Sequence, residues 1–171
     1  MISSHSSRRR VYVFALLLIA LFSRLVPHWP NFTALGAVAL MGGSQLKPHW
    51  LALLVTFGAL ILSDLILGFY SGFSLVYLAF LLICIQGRWM KMDKQSHLFG
   101  HSLVASTLFF LITNGAVWYA NPTYSQDVNG LILAYAAGLP FFLNFLLGTV
   151  AYGLGLSFAL RLVDRKAILL S

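Results

Sequence analysis

The sequence predicts an all-α fold, an integral membrane bundle of six transmembrane helices, on three observations. Hydrophobic residues make up 60% of the chain and charged residues only 9%, with a mean hydropathy of +0.87. A water-soluble domain is about half apolar and a quarter charged, so too few charges exist here to dress a surface in water. The apolar residues fall in runs of helical length. The 11 lysines and arginines sit in short clusters between those runs, as in membrane-protein loops. The net charge of +7 is therefore read as a topology signal, and no nucleic-acid partner is expected. The single cysteine, Cys84, excludes an internal disulfide and a Cys-rich metal site. The length of 171 residues holds one transmembrane domain over 1–171, with expected cytoplasmic tails at 1–10 and 164–171.

A hydrocarbon core of about 30 Å needs about 20 helical residues, or somewhat fewer inside a bundle. The first run, Val11 to Val26, follows Arg8, Arg9 and Arg10; it lacks a small-x-small cleavage site and is read as a retained span. The second, Phe32 to Leu46, is short and rich in small residues. Leu51 to Tyr70 is a full span, Phe73 to Trp89 a slightly short one, and Leu98 to Ala120 a full one. The last run, Leu131 to Val163, is too long for one span and contains Gly138 and Pro140. A short outer helix followed by a sixth span from about Leu139 is the expected solution.

Six spans place Arg8, Arg9, Arg10, Lys47, Arg88, Lys91, Lys94, Arg161, Arg165 and Lys166 on one side and leave only Arg24 for the other. That asymmetry predicts cytoplasmic termini. The opposite side carries Pro27-His28-Trp29-Pro30, Tyr70-Ser71-Gly72 and the longer 118–129 loop.

Few polar groups interrupt the apolar runs, and each must face the bundle interior or a wet cavity. Asp64 falls roughly 9 Å below the outer end of span three at the helical rise. Asn114 and Asn144 fall at similar depth in spans five and six. Three such groups from three helices predict one outward-facing cavity, with mutual pairing as the alternative. Asp64 is also open to a second reading, as the proton or sodium site of an ion-coupled carrier, although no glutamate or mid-span base accompanies it. Cys84, near mid-bilayer, is either a small buried apolar residue or a thiolate ligand for a soft metal centre at the cavity floor. His28 is a loop residue open to ligand contact. His97 and His101 are four apart at the cytoplasmic start of span five, with no third ligand in view. Asn31, within Asn31-Phe32-Thr33, is expected to cap span two rather than carry a glycan. Small residues at four-residue spacing on span six, Ala151, Gly155 and Ala159 beside Thr149, Gly153 and Ser157, suit close helix packing or a docking face.

Four strings are distinctive: Arg24 to Ala34 followed by Gly42-Gly43, Leu62 to Phe69, Thr113 to Trp118, and Leu139 to Asn144 running on into Leu147-Gly148-Thr149. Together, over about Arg24 to Leu160, they resemble the small six-span bacterial membrane proteins related to the S-components of energy-coupling factor transporters. With Cys84 in span four, the chain is similar to the BtuM-type cobalamin transporters. The resemblance implies a vitamin-uptake protein of the bacterial inner membrane that holds cobalamin in an outward cavity. It implies Cys84 as the cobalt ligand and as the thiol assisting decyanation of cyanocobalamin. It further implies a cavity wall around His28, Trp29, Asn31, Phe32, Asp64, Tyr77, Asn114 and Asn144, and no intrinsic cofactor. Ala15 and Ala20 in span one are five apart, where the S-component docking motif has four. Coupling to a scaffold with ATPase subunits and a solitary mode therefore both stay open.

Overall fold

The computed structural model describes residues 2–91 and 94–169, with side chains described for 9–91 and 94–162. Asp93 and the side chains of Arg8, Asp164, Arg165 and Lys166 lie outside the described residues. The described residues form six helices: α1 (Ile2–Leu25), α2 (Leu35–Gln45), α3 (Trp50–Leu67), α4 (Phe73–Gly87), α5 (Gln95–Ala120) and α6 (Val128–Leu169). Among the described residues there is no strand. Three helices, α3, α5 and Val128–Leu162 of α6, are long and apolar enough to cross a membrane. Their outward faces are apolar too: Leu54, Ile61, Leu103, Leu111, Ile132 and Leu147 are all exposed. Water penalises such a surface and lipid does not.

The helices alternate direction. Pro27–Asn31, Tyr70–Gly72 and the 119–124 stretch, three loops far apart in sequence, gather at one end around a common cavity. At the other end, Arg9 donates to the Lys47 carbonyl at 3.3 Å and the Ser44 hydroxyl donates to the Met90 carbonyl at 2.8 Å.

The short helix α2 is the axis. It touches all five other helices, while α1, α3, α4, α5 and α6 follow one another around it and, among the described residues, α1 does not touch α6. Every residue from Leu35 to Gly43 is buried. Small side chains make this possible. A Cβ at Gly43 would lie 2.2 Å from the Cys84 carbonyl oxygen, and one at Gly87 would lie 2.3 Å from the Leu40 carbonyl oxygen. α2 and α4 therefore meet backbone to backbone. On the far side, a Cβ at Gly36 would lie 2.2 Å from Thr149 Oγ1, and one at Gly148 would meet the backbone of Phe32 and Thr33 at 3.1–3.2 Å.

Two expectations are corrected. α6 is one continuous helix rather than a short outer helix plus a span, with Pro140 inside it. A membrane helix tolerates the lost N–H, and Gly138 makes room for a neighbour: a Cβ there would lie 2.1 Å from Asn114 Oδ1. Asn31 does not cap α2. It sits in a left-handed turn with φ 65°, and Thr33 N–H donates to its carbonyl at 3.1 Å. The start of α2 is served instead by α1, where Ser23 Oγ accepts the Ala34 N–H at 3.0 Å. The stretches expected as tails are themselves helical, with α1 beginning at Ile2 and α6 running on to Leu169.

Candidate functional site

At 11 residues, α2 is about 16 Å long at the helical rise, well short of the longer helices around it. The space beyond its first turn is the site. A cavity of about 830 Å³ opens there between α1, α4, α5, α6 and the three gathered loops. Its volume is in the range of pockets that hold small organic ligands.

Leu35, at the start of α2, and three phenylalanines lie at the deep end. Phe109 and Phe145 stack with centroids 4.4 Å apart, and Phe80 leans on both at 5.5 and 6.0 Å. The wall carries Thr113 and Asn114 from α5 and Ala134 and Phe141 from α6. Asn114 Nδ2 donates to the Phe110 carbonyl one turn back at 3.0 Å, which leaves its oxygen as the acceptor toward Gly138. The rim holds His28, Asn31, Tyr70, Asn121 and Tyr124. Gly68 (φ 93°) and Gly72 (φ 86°) turn the chain sharply on either side of Tyr70.

The α5–α6 loop is bonded to itself rather than loose. Trp118 Nε1 donates to the Ser125 carbonyl at 3.0 Å, and Gln126 Nε2 returns a bond to the Trp118 carbonyl at 2.8 Å. Asp127 Oδ1 accepts from the Gly130 N–H and the Ser125 hydroxyl, each at 2.8 Å, capping α6. Those two bonds hold the Asp127 carboxyl below its ordinary value of 3.8.

Beside the cavity lies a group that sequence reasoning did not assemble. Arg24, in the last turn of α1, bonds Asp64 Oδ1 of α3 at 2.5 Å, and Tyr77 Oη of α4 donates to Asp64 Oδ2 at 3.0 Å. Asp64 is fully buried, with both oxygens engaged. Arg24 keeps 15% of its side chain exposed and lines the cavity. A signal for the pair was present: the lone basic residue expected on the outer side and the lone carboxylate within an apolar run are expected at similar depth.

The expected wall residues thus divide. His28, Asn31 and Asn114 line the cavity; Asp64 and Tyr77 stand behind it, tied to Arg24. Asn144 does not line it either: its Nδ2 donates to the Pro30 carbonyl at 3.0 Å and pins the α1–α2 loop to α6. Trp29 and Phe32, edge to face at 5.9 Å, border with His28 and Tyr152 a separate groove of about 520 Å³ at the gap between α1 and α6. His28 Nδ1 faces the Val26 carbonyl at 2.6 Å.

Cys84 is not at the cavity floor. It lies one turn of α4 below Phe80, 3% exposed, with its sulfur 3.4 Å from Thr56 Oγ1 and 4.0 Å from the Ala52 carbonyl oxygen, facing α3. The phenylalanine rings occupy the position assigned to the sulfur. His97 and His101 stack at 6.2 Å, with Gln86 bonded to the His101 carbonyl at 3.0 Å. Among the described residues no group of three His, Cys, Asp or Glu is placed to hold a metal. Ala20 is buried and unable to form part of an outward docking face, whereas Ala151, Gly155 and Ala159 of α6 are exposed.

No curated protein and no solved structure matches the chain. The chain belongs to DUF6580, a family of unknown function, whose profile matches residues 4–170.

Proposed function

We propose that the chain is a six-span protein of the bacterial inner membrane that captures a small organic ligand from the outer side for uptake. The observation that carries this reading is the cavity of about 830 Å³ above the short central helix, with an aromatic floor and a polar rim. Its mouth lies at the end opposite Arg9, Lys47 and Arg88, so the excess of basic residues at that other end directs the mouth outward and both termini to the cytoplasm. A wide apolar pocket with a few convergent polar groups suits a ligand of vitamin size.

The geometry favours a ligand held without the cysteine. Cobalamin ligated by Cys84 would require the sulfur to turn from Thr56 and Ala52 of α3 toward a cavity it does not line. Ion coupling through Asp64 has less support, since Arg24 and Tyr77 already engage both of its oxygens. Energy for release would come from a separate scaffold with ATPase subunits or from solitary alternation of the bundle.

Mass spectrometry of small molecules extracted from the purified protein tests the reading. A compound present in the wild type and absent from Ala137→Trp, which fills the cavity, is the expected result. A wild-type protein that is empty, or a compound retained by Ala137→Trp, would overturn it.

A further inference from the structure

We infer that the cavity selects an organic anion, a carboxylate carried on an apolar body, with Arg24 as its anchor; this rests on the ligand-capture reading above. Arg24 is the one permanent charge among the described residues that line the cavity, and no carboxylate lines it. Asp64 sits behind Arg24, buried, with Oδ1 on the guanidinium and Oδ2 on Tyr77. It positions the guanidinium without presenting negative charge to the cavity surface. Tyr70, on the rim, lies beside the same pair.

A guanidinium offers five N–H donors in a fixed fork. The bond to Asp64 uses one terminal nitrogen and the Tyr70 hydroxyl meets the same side chain, whose exposed remainder faces the cavity. A purely structural ion pair has no need of that exposure. A neutral ligand that filled the cavity would strip water from those N–H groups and leave them unpaired, which is costly. A carboxylate would accept them, with the charge-assisted geometry that arginine matches best. The phenylalanine floor, which offers no hydrogen bond to a ligand, receives the apolar body at the other end.

The test is isothermal titration of the protein in lipid nanodiscs, with empty nanodiscs as the blank. The probes are two matched pairs: naphthylacetate with naphthylacetamide, and phenylbutyrate with phenylbutyramide. The carboxylate of at least one pair is expected to bind about tenfold or more tightly than its amide. In Arg24→Gln/Asp64→Asn, which removes both charges together, that preference should fall to about one. An amide that binds as tightly as its carboxylate, or a preference that survives the double variant, overturns the anion inference and leaves ligand capture standing. Binding by no member of either pair overturns both. Should the double variant fail to fold, Arg24→Lys reads the same question. The preference then drops several-fold if a carboxylate sits on the guanidinium fork, and an unchanged preference overturns the inference.

Discussion

A single methyl group at Gly43 tests whether backbone contact between α2 and α4 holds the centre of the bundle. The Cβ of Gly43→Ala would meet the Cys84 carbonyl oxygen at 2.2 Å and Gly87 Cα at 3.1 Å. Both are backbone atoms, so no side chain can swing aside and one helix must retreat by about 1 Å to restore a normal carbon–oxygen contact. If the seam carries about the 40–60 atom contacts of one buried leucine, each worth about 0.1–0.2 kcal/mol, such a gap forfeits a quarter to a half of them, or roughly 3 kcal/mol. Alanine returns about 1 kcal/mol through its better helix propensity. The net expectation is a loss near 2 kcal/mol, within the usual range for overpacking. Gly155→Ala is the control, since nothing lies within 4 Å of its added Cβ. That variant should be neutral or up to about 1 kcal/mol more stable. Reversible unfolding in mixed micelles, followed by helical circular dichroism, measures both. Equal midpoints for the two variants would refute the claim that α2 and α4 are in backbone contact.

Three further outcomes follow from the site. Asp64→Ala strands the Arg24 guanidinium and should cost about 3–5 kcal/mol, while Arg24→Leu/Asp64→Leu recovers most of the loss; a double-mutant cycle that shows simple additivity would contradict the pairing. Cys84→Ser should leave occupancy of the cavity by its co-purifying ligand unchanged, and Cys84 should resist maleimide in the folded protein; rapid labelling would contradict the burial. Asp127 has a folded pKa held below its ordinary 3.8, so its cap stabilises the α5–α6 loop above that value and is lost as pH falls through the lower folded one. Tryptophan fluorescence should accordingly change between about pH 5 and pH 2, with that part of the change absent in Asp127→Asn.

Much of the bundle was legible in the sequence because hydropathy reports directly on the solvent. The runs beginning near Leu51, Phe73 and Leu98 predict α3, α4 and α5 to within a few residues. The small residues of the second run predict an element that packs closely. What periodicity does not report is which polar groups meet. Arg24 and Asp64 are 40 residues apart, and only the adjacency of α1 and α3 brings them together. Cys84 shows the same limit: of its two readings the buried apolar one agrees with the structure, and the choice depends on rotation about the helix axis, which sets the direction of the side chain. With Ser74, Tyr77 and Gln86 as its few polar side chains, α4 carries no continuous amphipathic stripe to fix that rotation. Gly138 and Pro140 read as a break because those residues usually end helices. Here the glycine accommodates Asn114, and the proline costs only one N–H in a helix already committed to the membrane.

The cavity and the tight centre are two consequences of one element. Because α2 is made of small residues, its neighbours close in until backbones touch, as at Gly43 and Gly87. Because α2 is only 11 residues long, that closure ends at Leu35 and the longer helices continue past it with nothing between them. The space is then lined by whatever α4, α5 and α6 present one turn further out, which is aromatic, and by the end of α1, which is Arg24. Extending the axis would both fill the space and bury the guanidinium without a route to solvent. The shortness of α2 therefore leaves room above the bundle centre and also leaves part of the Asp64-paired Arg24 side chain facing that room.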